Sequence, residues 1–245
     1  MDDYVEKYSK EPENSVKSVA NSKNKHVIVN SPDEFSKDYK PVVLNENENK
    51  EVTRPNSKFI AYKSENTVNN IYISEGSKSI KRRELHQVDT KITEILKMMN
   101  ISENDNLPTI YIISSKEMNK NAVAAYRAAD NSLFIDMKFA IYGKNNVPEI
   151  VKGFACPSDD RSMFVHELFH WADAQNFRNK FGEITAENYN HFENFVQNNA
   201  KKQLDKLRKS GYDVFDISDY ATSSIKGGKF DEAYTEYRVR KILGR

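Results

Sequence analysis

Residues 165–171 read V-H-E-L-F-H-W, and the reading of this stretch decides how the rest of the chain is understood. The chain has five histidines, and two of them stand here four residues apart, with Glu167 directly after the first. On an α-helix, residues i, i+3, i+4 and i+7 share a face. His166 and His170 therefore stack one turn apart, and both imidazoles can reach one ion. Asp173 falls on the same face, and Val165, Leu168, Phe169 and Ala172 give the helix an apolar flank. Glu167 is displaced from the histidine face, so it meets a water on the metal instead of the metal. These are the mechanics of the His-Glu-x-x-His pattern. Two neutral imidazoles hold Zn²⁺, its charge lowers the pKa of the water to about 7, and the glutamate takes the proton. The competing reading is an amphipathic helix with two histidines by chance. Strands upstream, a capped start and the apolar flank favour the metal.

Composition excludes several other classes. The 245 residues suit one domain with appendages or two small ones. Thirty-seven basic residues balance 36 acidic ones, so no global field points to nucleic acid or a membrane surface. The single cysteine, Cys156, excludes an intrachain disulfide framework and a cysteine-rich zinc module. No apolar run approaches the length of a membrane span. The acidic opening "MDDYVEKYSKEPENSVKSV" lacks an apolar signal core, which leaves localisation open, with secretion or delivery by a larger assembly both compatible.

Residues 1–58 contain one leucine and one isoleucine but four of the seven prolines, and read as a polar extended arm or linker. Within it, "HVIV" and "PVVL" are candidate short strands. From Phe59 the pattern changes to a domain running to residue 245. "FIAYK", "NIYIS" and "TIYIIS" are strand-like. Between the last two, Ile80, Leu85, Val88, Ile92, Ile95 and Leu96 recur at helical spacing, and Asn100 can end that helix. "AVAAYRAADNSLFIDM" reads as two strands joined through Asp130-Asn131. Ser158 or Asp159 can then cap a helix through both histidines to Phe181, stopped by Gly182; further helices fit 186–209 and 230–243. The order is α+β, with a small, mostly antiparallel sheet followed by an active-site helix and C-terminal helices.

A catalytic zinc usually has three protein ligands and one open position. A third histidine six residues after the second is excluded, because Asn176 stands there and Asp173 replaces the preceding glycine. "FDEAYTEYRVRKIL" instead offers Glu232 and Glu236 one turn apart. One can bind the metal while the other holds a ligand imidazole from behind, a task Asp173 could share. Glu232 is the first choice as ligand, with Glu236 and then His191 as competitors.

"HELFHWAD" followed by "DEAYTEY" resembles the zincin metallopeptidases of the gluzincin type, and most of all the lethal-factor-like group that includes anthrax lethal factor and the clostridial Pro-Pro endopeptidases. The resemblance spans roughly residues 80–245. It implies a zincin-like fold, one Zn²⁺ per chain, a protein or peptide substrate, and toxin biology. It also implies an edge strand holding the substrate extended, for which 122–128 or 132–137 are the candidates. The group carries a tyrosine about two turns before the ligand glutamate, placed to stabilise the oxyanion. This chain has Ile225 there, and the nearest upstream tyrosine is Tyr220, with Tyr212 and Tyr234 also close in sequence.

The expected activity is therefore that of a zinc-dependent endopeptidase, with His166, His170 and Glu232 as ligands, Glu167 as base and Tyr220 at the oxyanion. The alternative is a noncatalytic interaction or assembly module of a toxin or virion in which the helix is structural. Cys156 reads as a small apolar residue, and Trp171 as an anchor of the helix against the sheet.

Overall fold

The computed structural model describes residues 59–63, 70–102, 105–115, 122–143 and 153–244. The proposed arm at 1–58, with its two candidate strands, lies outside them. The elements are β1 (Phe59–Lys63), β2 (Asn70–Ser74), α1 (Arg82–Met98), β3 (Thr109–Ile113), β4 (Ala124–Arg127), β5 (Ser132–Asp136), α2 (Met137–Tyr142), α3 (Ser162–Phe181), α4 (Tyr189–Lys209), α5 (Asp219–Lys226) and α6 (Phe230–Leu243). This is a mixed α+β chain. Among the described residues no helix is long and apolar enough to cross a membrane.

The strands form one sheet in the order β1-β2-β3-β5-β4. It is not mostly antiparallel. β1–β2 and β4–β5 are antiparallel, but the interior pairs β2–β3 and β3–β5 are parallel. The reason lies in the order of elements. A strand, a 17-residue helix and a strand make a crossover, and a crossover returns the chain parallel to its start. β5 follows β4 through a short turn in which Asn131 adopts φ 53°, so β4 is left at the edge and β5 is interior. Of the two candidate edge strands, only the first is at an edge.

Alternation sorts the side chains onto two faces. Ile71, Ile73, Ile110, Ile112, Leu133 and Ile135 form one core with α1 and α3. On the other face Tyr72, Tyr111 and Phe134 stack across three strands, with centroids 5.4 and 5.0 Å apart. In α1 the expected Leu85, Val88, Ile92, Ile95 and Leu96 are all buried, and Asn100 ends the helix at φ 55°.

Neither Ser158 nor Asp159 caps α3. Asp159 is committed to Arg161, whose backbone N–H and Nε both donate to it at 2.9 Å, and the helix begins only at Ser162. α3 is buried on nearly every side, from Met163 through Phe177, as a helix packed between a sheet and other helices must be. Its far flank meets α6. There Arg238 donates to both oxygens of Asp173, at 3.0 and 2.6 Å, and its guanidinium lies over the rings of Phe169 and Tyr234. Asp173 thus serves the α3–α6 contact and does not support a ligand imidazole.

Two short helices were not foreseen. α2 is capped by Asp136, which accepts from the Phe139 N–H at 2.9 Å, and α5 by Ser218, which accepts from the Ala221 N–H at 3.0 Å.

Removing one partner of a buried ion pair strands the other charge. Arg238→Ala is therefore expected to destabilise the fold by about 3–5 kcal/mol. The double change Asp173→Leu/Arg238→Met should cost much less, and urea denaturation of the two variants decides the point.

Candidate metal centre

His166 and His170 project from adjacent turns of α3, with their Nε2 atoms 3.1 Å apart. Glu232, in the first turn of α6, brings Oε2 to 3.1 Å from His166 Nε2 and 3.4 Å from His170 Nε2. Tetrahedral zinc, with bonds of about 2.0–2.1 Å, separates its ligand atoms by roughly 3.3 Å. The triangle therefore fits such an ion. These three side chains are the one group among the described residues whose His, Cys, Asp or Glu donors converge in this way. His191 is not part of it; its exposed ring packs against Phe177 and Phe181. Cys156 is not part of it either, and burial pushes its thiol pKa up.

Glu236, fully buried, stands one turn along α6. Its Oε1 lies 2.8 Å from His166 Nδ1, and its Oε2 accepts from the Ala155 N–H and from Ser218 Oγ. A carboxylate only accepts, so Nδ1 carries a proton and Nε2 is the atom aimed at the triangle. The glutamate pair divides as the one-turn spacing suggested, with Glu232 in the triangle and Glu236 behind the imidazole.

Tyr220 comes from the first turn of α5, and its hydroxyl donates to Glu232 Oε2 at 3.1 Å. The extra helix explains how a tyrosine 12 residues before the glutamate reaches the site where Ile225, at the expected spacing, does not. Glu167 accepts the Tyr126 N–H of β4 at 2.7 Å. Sequence reasoning missed three participants: Phe154, stacked on Tyr220; Ser218; and the Tyr126 amide. None carries a motif, and two of the contacts to these carboxylates come from main chain.

The site opens into a cleft of about 660 Å³, walled by β4 on one side and by Tyr189, Phe192 and Glu193 of α4 on the other. The ladder dictates what β4 presents there. Asp136 N–H donates to Val123 O, so residues 123, 125 and 127 bond inward to β5. The N–H and C=O of Ala124 and Tyr126 therefore point outward. Of these, the Tyr126 N–H is held by Glu167.

Burial disfavours charge on His166, but Glu232 and Glu236 at its two nitrogens outweigh this and hold its pKa well above the ordinary value. His170 is raised in the same way by Glu232. Glu232, despite burial, is held well below the usual carboxylate range by the two imidazoles. Burial, then the Glu232 charge, keeps the Tyr220 phenol protonated.

No protein-family model, no curated protein and no solved structure gives a significant match to this chain.

The shifts fix a pH window for the metal-free protein. The histidines contribute fully below their unfolded value of 6.5, and lose that contribution as pH rises through their raised folded values. Glu232 contributes above 4.5 and loses it as pH falls through its depressed value. Melting of the chelated protein should thus fall as pH is raised above 6.5, less steeply in Glu232→Gln. A zinc ion in the triangle would take the place of the Nε2 protons, so if the site holds zinc, saturating metal should remove the decline.

Proposed function

We propose that this chain is a zinc-dependent endopeptidase of zincin-like architecture, cleaving a protein or peptide substrate held as an extended strand. The observation that carries the reading is the triangle of His166, His170 and Glu232 opening onto a cleft whose wall is an edge strand. A helix serving only the fold would give no reason for three ligand atoms to converge at a cleft.

An extended segment along β4 would pair with the outward N–H and C=O of Ala124 and the C=O of Tyr126. Zinc, held by the three ligands, would supply Lewis acidity at the scissile carbonyl. Glu167, already oriented by the Tyr126 amide, would take the proton of the attacking water and pass it to the leaving amine. Tyr220 would donate its proton-bearing hydroxyl to the oxygen on which negative charge develops. Glu236 would keep His166 in the tautomer that presents Nε2. Burial of Tyr220 and the neighbouring carboxylate suit this role, since both keep the phenol a donor.

Three glutamate variants test the assignment, with histidine variants as comparisons. Glu167→Gln keeps shape but cannot accept the proton, so hydrolysis of a diverse peptide library should drop by at least about 10²-fold with zinc retained. Full activity in zinc-loaded Glu167→Gln would remove it as the base. Glu232→Ala should lose zinc as thoroughly as His166→Ala or His170→Ala, whereas His86→Ala and His191→Ala keep it. Glu236→Ala should bind zinc about 10- to 100-fold more weakly and regain activity with added metal. It should also cost stability, because the Ala155 N–H and the Ser218 hydroxyl lose their acceptor. Titration against a competing chelator ranks the variants, and a reversed order of the two glutamates would make Glu236 the ligand.

A further inference from the structure

The segment leading into α3 passes the site, and its aromatic side chain, Phe154, packs against two of the site's rings. Phe154 stacks on Tyr220 with centroids 4.1 Å apart and planes at 24°. It meets His166 edge-on at 5.8 Å and 80°. The His166 and Tyr220 rings are 6.2 Å apart, so Phe154 touches both members of a pair flanking the ligand triangle.

The residues on either side of Phe154 are pinned to the same machinery. The Gly153 carbonyl accepts the Tyr220 N–H at 2.9 Å, and the Ala155 N–H donates to Glu236. Cys156 takes φ 53°, and its carbonyl accepts the Asp159 N–H, turning the chain into α3. Phe154 itself is only partly buried and lines the cleft. A ring needed for core volume alone would not be fixed by hydrogen bonds before and after it while remaining on the cleft wall.

A tyrosine has two side-chain torsions to settle, and the backbone bond from Gly153 settles neither. Among the described residues the hydroxyl of Tyr220 bonds to Glu232, itself one of the converging groups. The Phe154 ring, inclined at only 24° to the phenol, restrains the plane in which that ring lies and so limits both torsions. We propose that Phe154 is the positioning residue for Tyr220, holding its phenol at the mouth of the His166–His170–Glu232 group. The inference rests on the reading of Tyr220 as the donor to the developing oxyanion. It adds a residue that carries no motif and no ionisable group.

The test uses the full chain loaded with zinc, comparing Phe154→Ala, Phe154→Leu and Phe154→Tyr, each with Tyr220 intact and with Tyr220→Phe. Phe154→Leu keeps apolar volume without a ring, and so guards against a folding defect in the alanine variant. Misplacement by about 1 Å can cost on the order of 10²-fold, so Phe154→Ala and Phe154→Leu should lower kcat by about 10- to 100-fold with KM and zinc content retained. Phe154→Tyr should restore the rate. In the Tyr220→Phe background the same substitutions should cost little more, because the group they position is gone. Equal losses in both backgrounds would overturn the proposal.

A second readout does not depend on hydrolysis. With ring-¹³C tyrosine, the Tyr220 resonance is identified by its absence from Tyr220→Phe. It should carry the ring-current shift of a stacked neighbour in the wild-type chain, and lose it in Phe154→Ala and Phe154→Leu. An unmoved resonance overturns the proposal. A resonance that moves in a chain cleaving no peptide supports the placement of Phe154 and overturns only the endopeptidase reading.

Discussion

The carboxylate of Glu236 is the point on which this structure turns. It is wholly buried, and a buried carboxylate is tolerated only when its oxygens are met by donors. Three are present, from three parts of the chain: His166 Nδ1 in α3, the Ala155 amide in the segment before it, and Ser218 Oγ at the start of α5. Each donor is committed elsewhere as well. His166 faces Glu232, Ala155 follows the ring stacked on Tyr220, and Ser218 caps the helix that carries Tyr220. One desolvated charge thereby fixes the rotamer of an imidazole, the path of a loop and the start of a helix. The contacts that join these parts of the C-terminal half are the same contacts that assemble the site.

α3 and α6 are held at a second level by Asp173 and Arg238. The two contacts differ in kind. At His166 the pairing is open to exchange, since the imidazole could lose its Nε2 proton to solvent, present that nitrogen to a metal and keep its Nδ1 bond to Glu236. At Asp173 both oxygens are occupied by a guanidinium that stays charged at any accessible pH. A fixed contact beside an exchangeable one would let the histidine end of the helix pair respond to pH, and to any metal it binds, while the packing end does not.

What the sequence made legible follows from range. The histidine pair and the glutamate pair are written in i, i+4 spacing, a local pattern that survives whatever the chain does elsewhere. That Glu232 should face both histidines also came from the sequence, because a third ligand had few other sources. Strand direction is not local. Alternation in "NIYIS" and "TIYIIS" fixes which side chains share a face but says nothing of polarity, and the parallel interior came instead from the helix between them. The spacing puts Asp173 on the histidine face but is silent on its partner, because Arg238 stands 65 residues on and carries no motif. α5 is not legible in the sequence although Ser218-Asp219 is a good helix start, since eight residues hold too little periodicity to register. Contacts made by main chain, such as the Tyr126 and Ala155 amides, have no side-chain signature at all.

The Tyr126 amide links the proposed base to the proposed substrate strand. Glu167 accepts its N–H, so the strand's spacing from α3 is set partly by the carboxylate that would act on the water. The same residue is gripped again at its other end. Tyr126 Oη donates to Asn131 Oδ1 at 3.0 Å and accepts from Arg178 Nη1 at 3.2 Å. Arg178 also donates to the Ala128 carbonyl. Burial, against the opposing charge of Arg178, pushes the Tyr126 phenol up to about 12, so it stays protonated and fills both roles. Glu167 and Arg178 lie three turns apart on α3. β4 is thus fastened to that helix at two points, through one residue, along the length of the cleft. An edge strand held only by its ladder could twist away from the helix as an added strand docks. Here the gap between strand and triangle is held by the bonds from Glu167 and Arg178, and a segment entering it would meet a strand already aligned to α3.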